Sequence, residues 1–187
     1  MAISLTHDVI SYNVKRGSPI FACSLDAEGA FDAIPHSILF DKALHVVPDP
    51  CWKILYYWCS KITAQVRWNH RLGNSINILI GSRQGGISSP FLFNIFYQDL
   101  VEELSRTVGG INIDNCSHNT FCHADDVRLT SKTITGLQNV IDVVERYIKA
   151  HGLRFNPLKT QCIIFGKNTL LMIQYVFLDE TALTLTN

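Results

Sequence analysis

The stretch TFCHADDVRLTS, residues 120–131, decides the fold because it predicts two short strands around a pair of aspartates. Asp125 and Asp126 would lie at the tight turn between these strands. Adjacent carboxylates repel each other unless they are solvated or bind something positive. The pair is therefore either a polar turn, the more common case for an isolated Asp-Asp, or a binding site.

A third aspartate ends a buried strand about one hundred residues earlier. The apolar run PIFACSL, residues 19–25, predicts a short strand, and Asp26 follows it directly. In one antiparallel sheet, the end of this strand and the tip of the 120–131 hairpin can be neighbours. Asp26 would then join Asp125 and Asp126 in one carboxylate cluster.

The order of the other elements predicts the fold class. Two helices follow Asp26, then a hairpin with its turn at Gly73-Asn74, a long helix from Ser89, and an amphipathic helix that ends at Gly152. A strand covers residues 161–166. We expect an α+β fold in which helices pack on one face of an antiparallel sheet, as one domain over residues 1–187.

Composition excludes several protein classes. The 187 residues are 47% hydrophobic and 17% charged, as in a globular domain, and Lys+Arg equals Asp+Glu at 16 each, so any nucleic-acid-binding surface would be local. Six cysteines form no CxxC pair, which predicts reduced thiols in an intracellular protein, nuclear or cytoplasmic. No apolar run approaches the roughly 20 residues of a membrane span, and no signal peptide is visible.

The carboxylate cluster has a specific chemistry. Oxygen ligands without His or Cys favour Mg²⁺ or Mn²⁺. Two such ions about 4 Å apart can clamp a phosphoryl displacement, one at the attacking hydroxyl and one at the leaving pyrophosphate.

Four stretches occur in an order that is more specific than any one of them: SLDAEGAFDAIPHSIL, GSRQGGISSPFLFNIF, FCHADDVRLTS and GLRFNPLKTQCIIFG. They resemble the successive palm motifs of reverse transcriptases, of the non-LTR retrotransposon type, over residues 20–166. The resemblance implies a polymerase palm with a ferredoxin-like core, and residues 174–187 resemble the start of the primer-gripping hairpin. The implied activity is RNA-directed DNA synthesis, with an RNA template, a DNA primer, dNTPs and two Mg²⁺ ions.

The resemblance also assigns the metal-binding residues. Asp26, Asp125 and Asp126 match the catalytic, metal-binding aspartates, with Asp125 as the ligand shared by both metals. Ala27 would offer a backbone carbonyl to a metal. Without the resemblance, Asp26 reads equally as a strand-end cap.

Further residues match the nucleotide site. Phe31 would lie under the sugar and reject ribonucleotides, although a core aromatic is the plainer interpretation. Gln84 and Gly85 would border the pocket and Arg83 could contact a phosphate, whereas a turn before a capped helix also explains them. Lys159 could protonate the leaving pyrophosphate, or could be an ordinary surface lysine.

Two residues depart from the motif. His123 replaces the usual Phe or Tyr, and Arg128, where a small or apolar residue is usual, would share a strand face with Asp126 and could pair with it. The chain opens on what looks like the tail of a helix, and the fingers and thumb are expected from a longer parent protein. An RNA-directed RNA polymerase or a group II intron-type relative with a similar palm is a second interpretation, and Phe31 argues against an RNA product. The third is an inactive retroelement remnant that binds RNA or protein.

Overall fold

The structure is a computed structural model that describes residues 2–29, 31–82, 86–113, 116–123, 126–166 and 175–186. In chain order its elements are α1 (Ala2–Lys15), β1 (Ile20–Asp26), α2 (His36–Val46), α3 (Asp49–Ser60), β2 (Thr63–Trp68), β3 (Arg71–Asn77), α4 (Ser89–Arg106), β4 (Asn112–Ile113), β5 (Cys116–Ser117), β6 (Thr120–His123), β7 (Asp126–Ser131), α5 (Ile134–Ala150), β8 (Gln161–Phe165), β9 (Tyr175–Leu178) and β10 (Thr181–Thr186).

The chain divides into two compact units, with one boundary after residue 28 and the other inside α4. One unit comprises residues 1–28 and 98–187, and the other comprises residues 29–97. We call them the sheet unit and the helical unit. That residues 1–187 form a single domain stays a prediction.

The sheet unit contains a six-stranded sheet in the order β6-β7-β1-β8-β10-β9. The central strand β1 is antiparallel to both β7 and β8. The expectation of an antiparallel sheet is wrong at one place, because β10 pairs with β8 in parallel. The predicted C-terminal hairpin is confirmed as β9–β10. Its second strand, β10, lies beside β8, and these two strands run in the same direction. The fold is thus α+β with a mixed sheet.

The two faces of β1 differ in burial, and this difference sets its register. Cys23 and Leu25 are almost fully buried, as are Val127 and Leu129 on β7. Burying one such side chain contributes roughly 1.5–3 kcal/mol. A slip of one residue would exchange these side chains for the polar ones between them, so the buried face fixes the pairing.

Helix α5 covers this buried face. It contacts β1, β7 and β9, and Thr133 caps its first turn by accepting a hydrogen bond from the Gly136 N–H. Gly136 permits close approach, because a Cβ there would overlap Ser131 Oγ and the Gly109 carbonyl. The apolar residues of α5 that face inward are Leu137, Val140, Ile141, Val143, Val144, Tyr147 and Ile148.

Helix α1 packs on the opposite face of the sheet, near the start of β1. Its Val9 joins Ile20 and Phe121 in a buried cluster. The expectation that helices cover only one face was therefore too narrow. Between this cluster and the end of β1, the same face carries polar side chains, and the candidate site lies there.

The helical unit is built from α2, α3, β2, β3 and the first half of α4. Its core includes Ala43, Val47 and Ile95, with Trp52 packed against them. The β2–β3 hairpin is confirmed, but its predicted turn at Gly73-Asn74 is wrong, because those residues lie inside β3. Asn69 and His70 form the turn, with φ values of 49° and 63°. Two successive positive φ angles are typical of a type I′ hairpin turn, which favours Asn at its first position.

All six cysteines are free thiols, as expected for reduced cysteines. Cys23 and Cys162 lie directly opposite each other on β1 and β8, with their sulfur atoms 2.9 Å apart. The hydrogen bond from Cys162 and the burial of the pair raise the pKa of Cys23, so this thiol stays protonated. Among the described helices, none is long and apolar enough to cross a membrane.

Candidate functional site

Asp26 and Asp126 lie directly opposite each other at the end of the β1–β7 pair. Residues opposite each other on antiparallel strands share a face, with Cβ atoms about 4.5–5.5 Å apart. Their side chains are 39% and 47% exposed, so solvent and small ligands can reach both. The expected meeting of the strand end with the hairpin is confirmed. Asp125 and its turn lie outside the described residues.

Lys159 reaches Asp26 from the loop before β8. Its Nζ lies 3.7 Å from Asp26 Oδ2. The loop is tied to the end of β1, because the Asn156 N–H donates to the Asp26 carbonyl at 2.9 Å and Phe155 pairs with Ala27. Lys159 is thus held near the carboxylate because its loop is bonded to the backbone of Asp26 and pairs with Ala27.

Asn156 shapes this loop, and the sequence analysis missed it. Its side-chain oxygen accepts the Leu158 N–H at 3.0 Å, and its carbonyl accepts the N–H groups of Lys159 and Thr160. These bonds form a compact Asx-type turn that orients Lys159. The signal was present in the sequence as the dipeptide Asn156-Pro157, which favours turn initiation.

Arg128 forms an ion pair with Asp126, two residues earlier on the same strand face. Its Nη2 lies 3.4 Å from Asp126 Oδ2, which confirms the pairing expected from strand periodicity. Arg128 lies opposite Ser24 on β1, so Ser24, Arg128 and the two aspartates form a polar patch at this end of the face. Arg128 and Lys159 thus each neutralise one of the facing carboxylates.

These carboxylates suit a hard divalent cation. Mg²⁺ commonly binds through one or two carboxylates and completes its shell with water and phosphate oxygens. Asp26 and Asp126 offer two carboxylates on one accessible face, which meets that requirement. Within the described residues no group of three or more His, Cys, Asp or Glu side chains forms a metal site, and Asp125 is not among them.

The residues expected at the nucleotide belong to the helical unit. Phe31 is partly buried and packs against Phe93, with ring centroids 4.6 Å apart and the ring planes tilted by 31°. This packing suits both a core aromatic and a rigid floor for a ligand. Arg83, Gln84 and Gly85 lie outside the described residues, so their roles stay predictions.

The fold is shared with solved telomerases. A telomerase from Candida tropicalis in complex with a fragment of telomeric RNA matches with a TM-score of 0.68 and 12% identity, over 96% of this chain and 32% of that one. The apo telomerase of the same organism matches with a TM-score of 0.66 and 13% identity, over 90% of this chain and 35% of that one. At these identities the likeness concerns the fold, which is reverse transcriptase-like.

The family follows from the sequence. The model of the reverse transcriptase (RNA-dependent DNA polymerase) family matches residues 2–178, so the chain belongs to that family.

Two curated relatives are retrotransposon proteins. The chain is 27% identical over 150 residues to the Pol polyprotein of a type-1 retrotransposable element R2 from Popillia japonica, covering 79% of this chain and 25% of the relative. It is 23% identical over 151 residues to the RNA-directed DNA polymerase from mobile element jockey of Drosophila melanogaster, covering 78% and 16%. The non-LTR likeness is confirmed, and the chain spans a quarter or less of these relatives.

The Arg128–Asp126 pair leads to a prediction about metal affinity. In Arg128→Met the competing charge is lost, so Mn²⁺ should bind about two- to fivefold more tightly, because a half-exposed ion pair is worth about 0.5–1 kcal/mol. A titration followed by Mn²⁺ electron paramagnetic resonance measures this. Arg146→Met, which removes a surface pair with Glu103, is the matched control and should leave the affinity unchanged. Equal affinities in wild type and Arg128→Met would show that Arg128 does not compete.

Proposed function

We propose that this chain is the palm of an RNA-directed DNA polymerase that adds dNTPs to a primer 3′-hydroxyl on an RNA template. Family membership gives the reaction class. The observation that carries the proposal for this chain is that Asp26 and Asp126 lie opposite each other at the accessible ends of the inner strands β1 and β7. Fingers and thumb would come from a longer parent protein, which the small share of the relatives covered supports.

Two Mg²⁺ ions, or Mn²⁺, would be held by Asp26, Asp125 and Asp126, with Ala27 offering its carbonyl. When bound, these ions supply charge stabilisation at the attacking and leaving oxygens. The carboxylates of Asp26 and Asp126 face each other at the end of β1 and β7, and Lys159 and Arg128 offset part of their negative charge. A cation relieves the repulsion between the carboxylates, so binding is favourable without any rearrangement of the strands.

Lys159 is the proposed proton donor. The proposal is supported by its ammonium group, which lies beside Asp26 on a turn that Asn156 orients. A proton passed from Nζ to a pyrophosphate oxygen would remove one negative charge from the leaving group. Phe31 is proposed to exclude a 2′-hydroxyl, with Arg83, Gln84 and Gly85 bordering the nucleotide.

A second candidate is a catalytically inactive remnant that binds RNA or protein. The observation that favours it is that both described carboxylates already have cationic partners, Lys159 and Arg128. The Arg128 pair does not belong to the motif that this chain resembles. In either case we propose an intracellular location, since the six free thiols suit a reducing compartment.

Primer extension separates the two candidates. With Mg²⁺, an RNA template and a DNA primer, wild type should extend the primer, whereas Asp26→Asn and Asp125→Asn should each lose at least about a hundredfold in rate, because even residues that merely support metal ligands are worth 10- to 100-fold. Asp142→Asn, an exposed carboxylate on α5, is the control and should extend normally. If wild type and Asp26→Asn extend equally poorly, this chain is not a polymerase by itself.

The role of Phe31 has its own test. Wild type should reject ribonucleotides, and Phe31→Ala should raise their incorporation relative to deoxynucleotides by about tenfold or more, because the ring no longer blocks the 2′-hydroxyl. Single-nucleotide extension with each triphosphate measures the ratio. Phe93→Ala, which removes the ring packed against Phe31, controls for a general loss of packing. An unchanged ratio in Phe31→Ala would assign this ring to the core alone.

A further inference from the structure

The hairpin β9–β10 is attached to the rest of the sheet unit at two places. Its strand β10 pairs with β8 at Leu185 and Thr186, the last residues of the hairpin. Its strand β9 lies at one end of the described sheet and contacts α5, with Val176 and Leu178 almost fully buried. The half of the hairpin that includes the turn therefore depends on α5 for its position.

Gln138 on α5 forms two hydrogen bonds with the backbone of β9. Its Nε2 donates to the Phe177 carbonyl at 3.0 Å, and its Oε1 accepts the Phe177 N–H at 2.8 Å. In an antiparallel pair, every second residue of an outer strand directs both backbone groups away from its neighbour. Phe177 is such a residue, and the Gln138 amide bonds it as a further strand would.

Other contacts of the same helix face support this arrangement. Asp142 Oδ1 accepts a second hydrogen bond from Gln138 Nε2 at 2.6 Å, which leaves Oε1 to accept the Phe177 N–H. An Asn at position 142 would keep an oxygen in that place. Lys149 lies with its Nζ 3.1 Å from Asp179 Oδ1 in the hairpin turn, but both side chains are exposed, so this pair contributes little. Gln138 is therefore the stronger of these two links between α5 and the hairpin.

The Phe177 ring lies on the same face of the sheet as the candidate metal site. Residues side by side on neighbouring strands share a face, and side chains alternate along each strand. The buried Leu185 lies beside Cys162, on the face that α5 covers. Phe177 lies opposite Ala182, three residues before Leu185, so its ring points to the other face, where Asp26 also lies. The ring is 52% exposed there.

Phe177 also lies close to the level of Asp26 along the strands. Leu185 and Cys23 pair with the same residue of β8, in parallel and antiparallel directions respectively. Going back three residues from Leu185 to Ala182 therefore corresponds to going forward three residues from Cys23 to Asp26. The three strand spacings between β1 and β9 amount to roughly 14 Å. An exposed aromatic ring is thus held at about this distance from the carboxylates.

We propose that Gln138 is a positioning residue for primer binding. By bonding both backbone groups of Phe177, it holds β9 against α5 and so sets the distance between the Phe177 ring and Asp26. A primer strand that ends at the carboxylates would contact this ring. The inference rests on the proposed polymerase function, in which residues 174–187 grip the primer. It adds a residue outside the hairpin that keeps the gripping surface in place.

Hydrogen exchange measures whether Gln138 holds the hairpin. Leu at position 138 has a similar size but forms neither hydrogen bond, so the Phe177 amide should exchange about fivefold faster or more in Q138L. Nuclear magnetic resonance resolves this amide from the others. The matched control is Q98L, which removes a Gln98–Glu102 contact on α4 and should leave the Phe177 amide unchanged. Equal exchange of this amide in Q138L and wild type would overturn the proposal.

Steady-state primer extension measures whether the contact matters to the primer. Q138L should raise the KM for primer–template about fivefold and leave the KM for dNTP unchanged, because apparent affinity falls with the fraction of molecules whose hairpin is in place. Q98L should match wild type. If Q138L speeds exchange but leaves the primer KM unchanged, Gln138 only protects the outer strand and the proposal fails.

A double-mutant cycle tests whether Gln138 acts through Phe177. F177A should raise the primer KM at least as much as Q138L does. Q138L/F177A should raise it no further than F177A alone, because the ring that Gln138 positions is then already absent. Fully additive effects of the two substitutions would contradict the positioning role.

Duplex binding without dNTP separates this inference from the polymerase activity. Fluorescence anisotropy with a labelled primer–template duplex should give a Kd about fivefold higher for Q138L than for wild type, for the same reason as the KM. If wild type binds the duplex but extends no primer, the proposed activity fails, whereas a raised Kd in Q138L still supports the positioning role. Equal duplex binding by Q138L and wild type, or no binding by wild type, would overturn it.

Discussion

The register between β1 and β7 is the constraint on which the candidate site depends. Burial of Leu25 and Leu129 beneath α5 fixes that register, because the alternative pairing would expose them and bury carboxylates. Asp26 and Asp126 then lie on the accessible face as a geometric consequence of packing on the other face. The hydrophobic core thus determines where the charged groups meet.

The resulting electrostatic arrangement is costly without cations. The facing carboxylates repel each other, and the ion pairs of Lys159 with Asp26 and of Arg128 with Asp126 reduce this repulsion. These pairs are partly exposed, so they contribute little to stability and can open. Lys159 is compatible with a role in proton transfer, whereas Arg128 occupies a carboxylate that a metal would need. With Arg128 paired to Asp126, the two carboxylates should bind a cation more weakly than they would without that pair.

The sequence predicted the residues at the ends of β1 and β7 because the patterns that indicate them are local. A buried strand ends at Asp26, and alternating residues place Arg128 beside Asp126. It did not predict the parallel β8–β10 pairing, because that depends on which strand of the C-terminal hairpin lies beside β8. It also placed the β2–β3 turn at Gly73-Asn74, whereas Asn69 and His70 adopt the positive φ angles of the turn. The roles of Asp125 and residues 83–85 stay predictions.

The central claim is that Asp26 and Asp126 form a divalent-metal site. Crystals of the chain grown with Mn²⁺, measured at the manganese absorption edge, test it most directly. The account predicts an anomalous peak within coordination distance, about 2.0–2.4 Å, of carboxylate oxygens from both aspartates, with Arg128 withdrawn from Asp126. At saturating Mn²⁺, the absence of such a peak with the Arg128–Asp126 pair intact would contradict it.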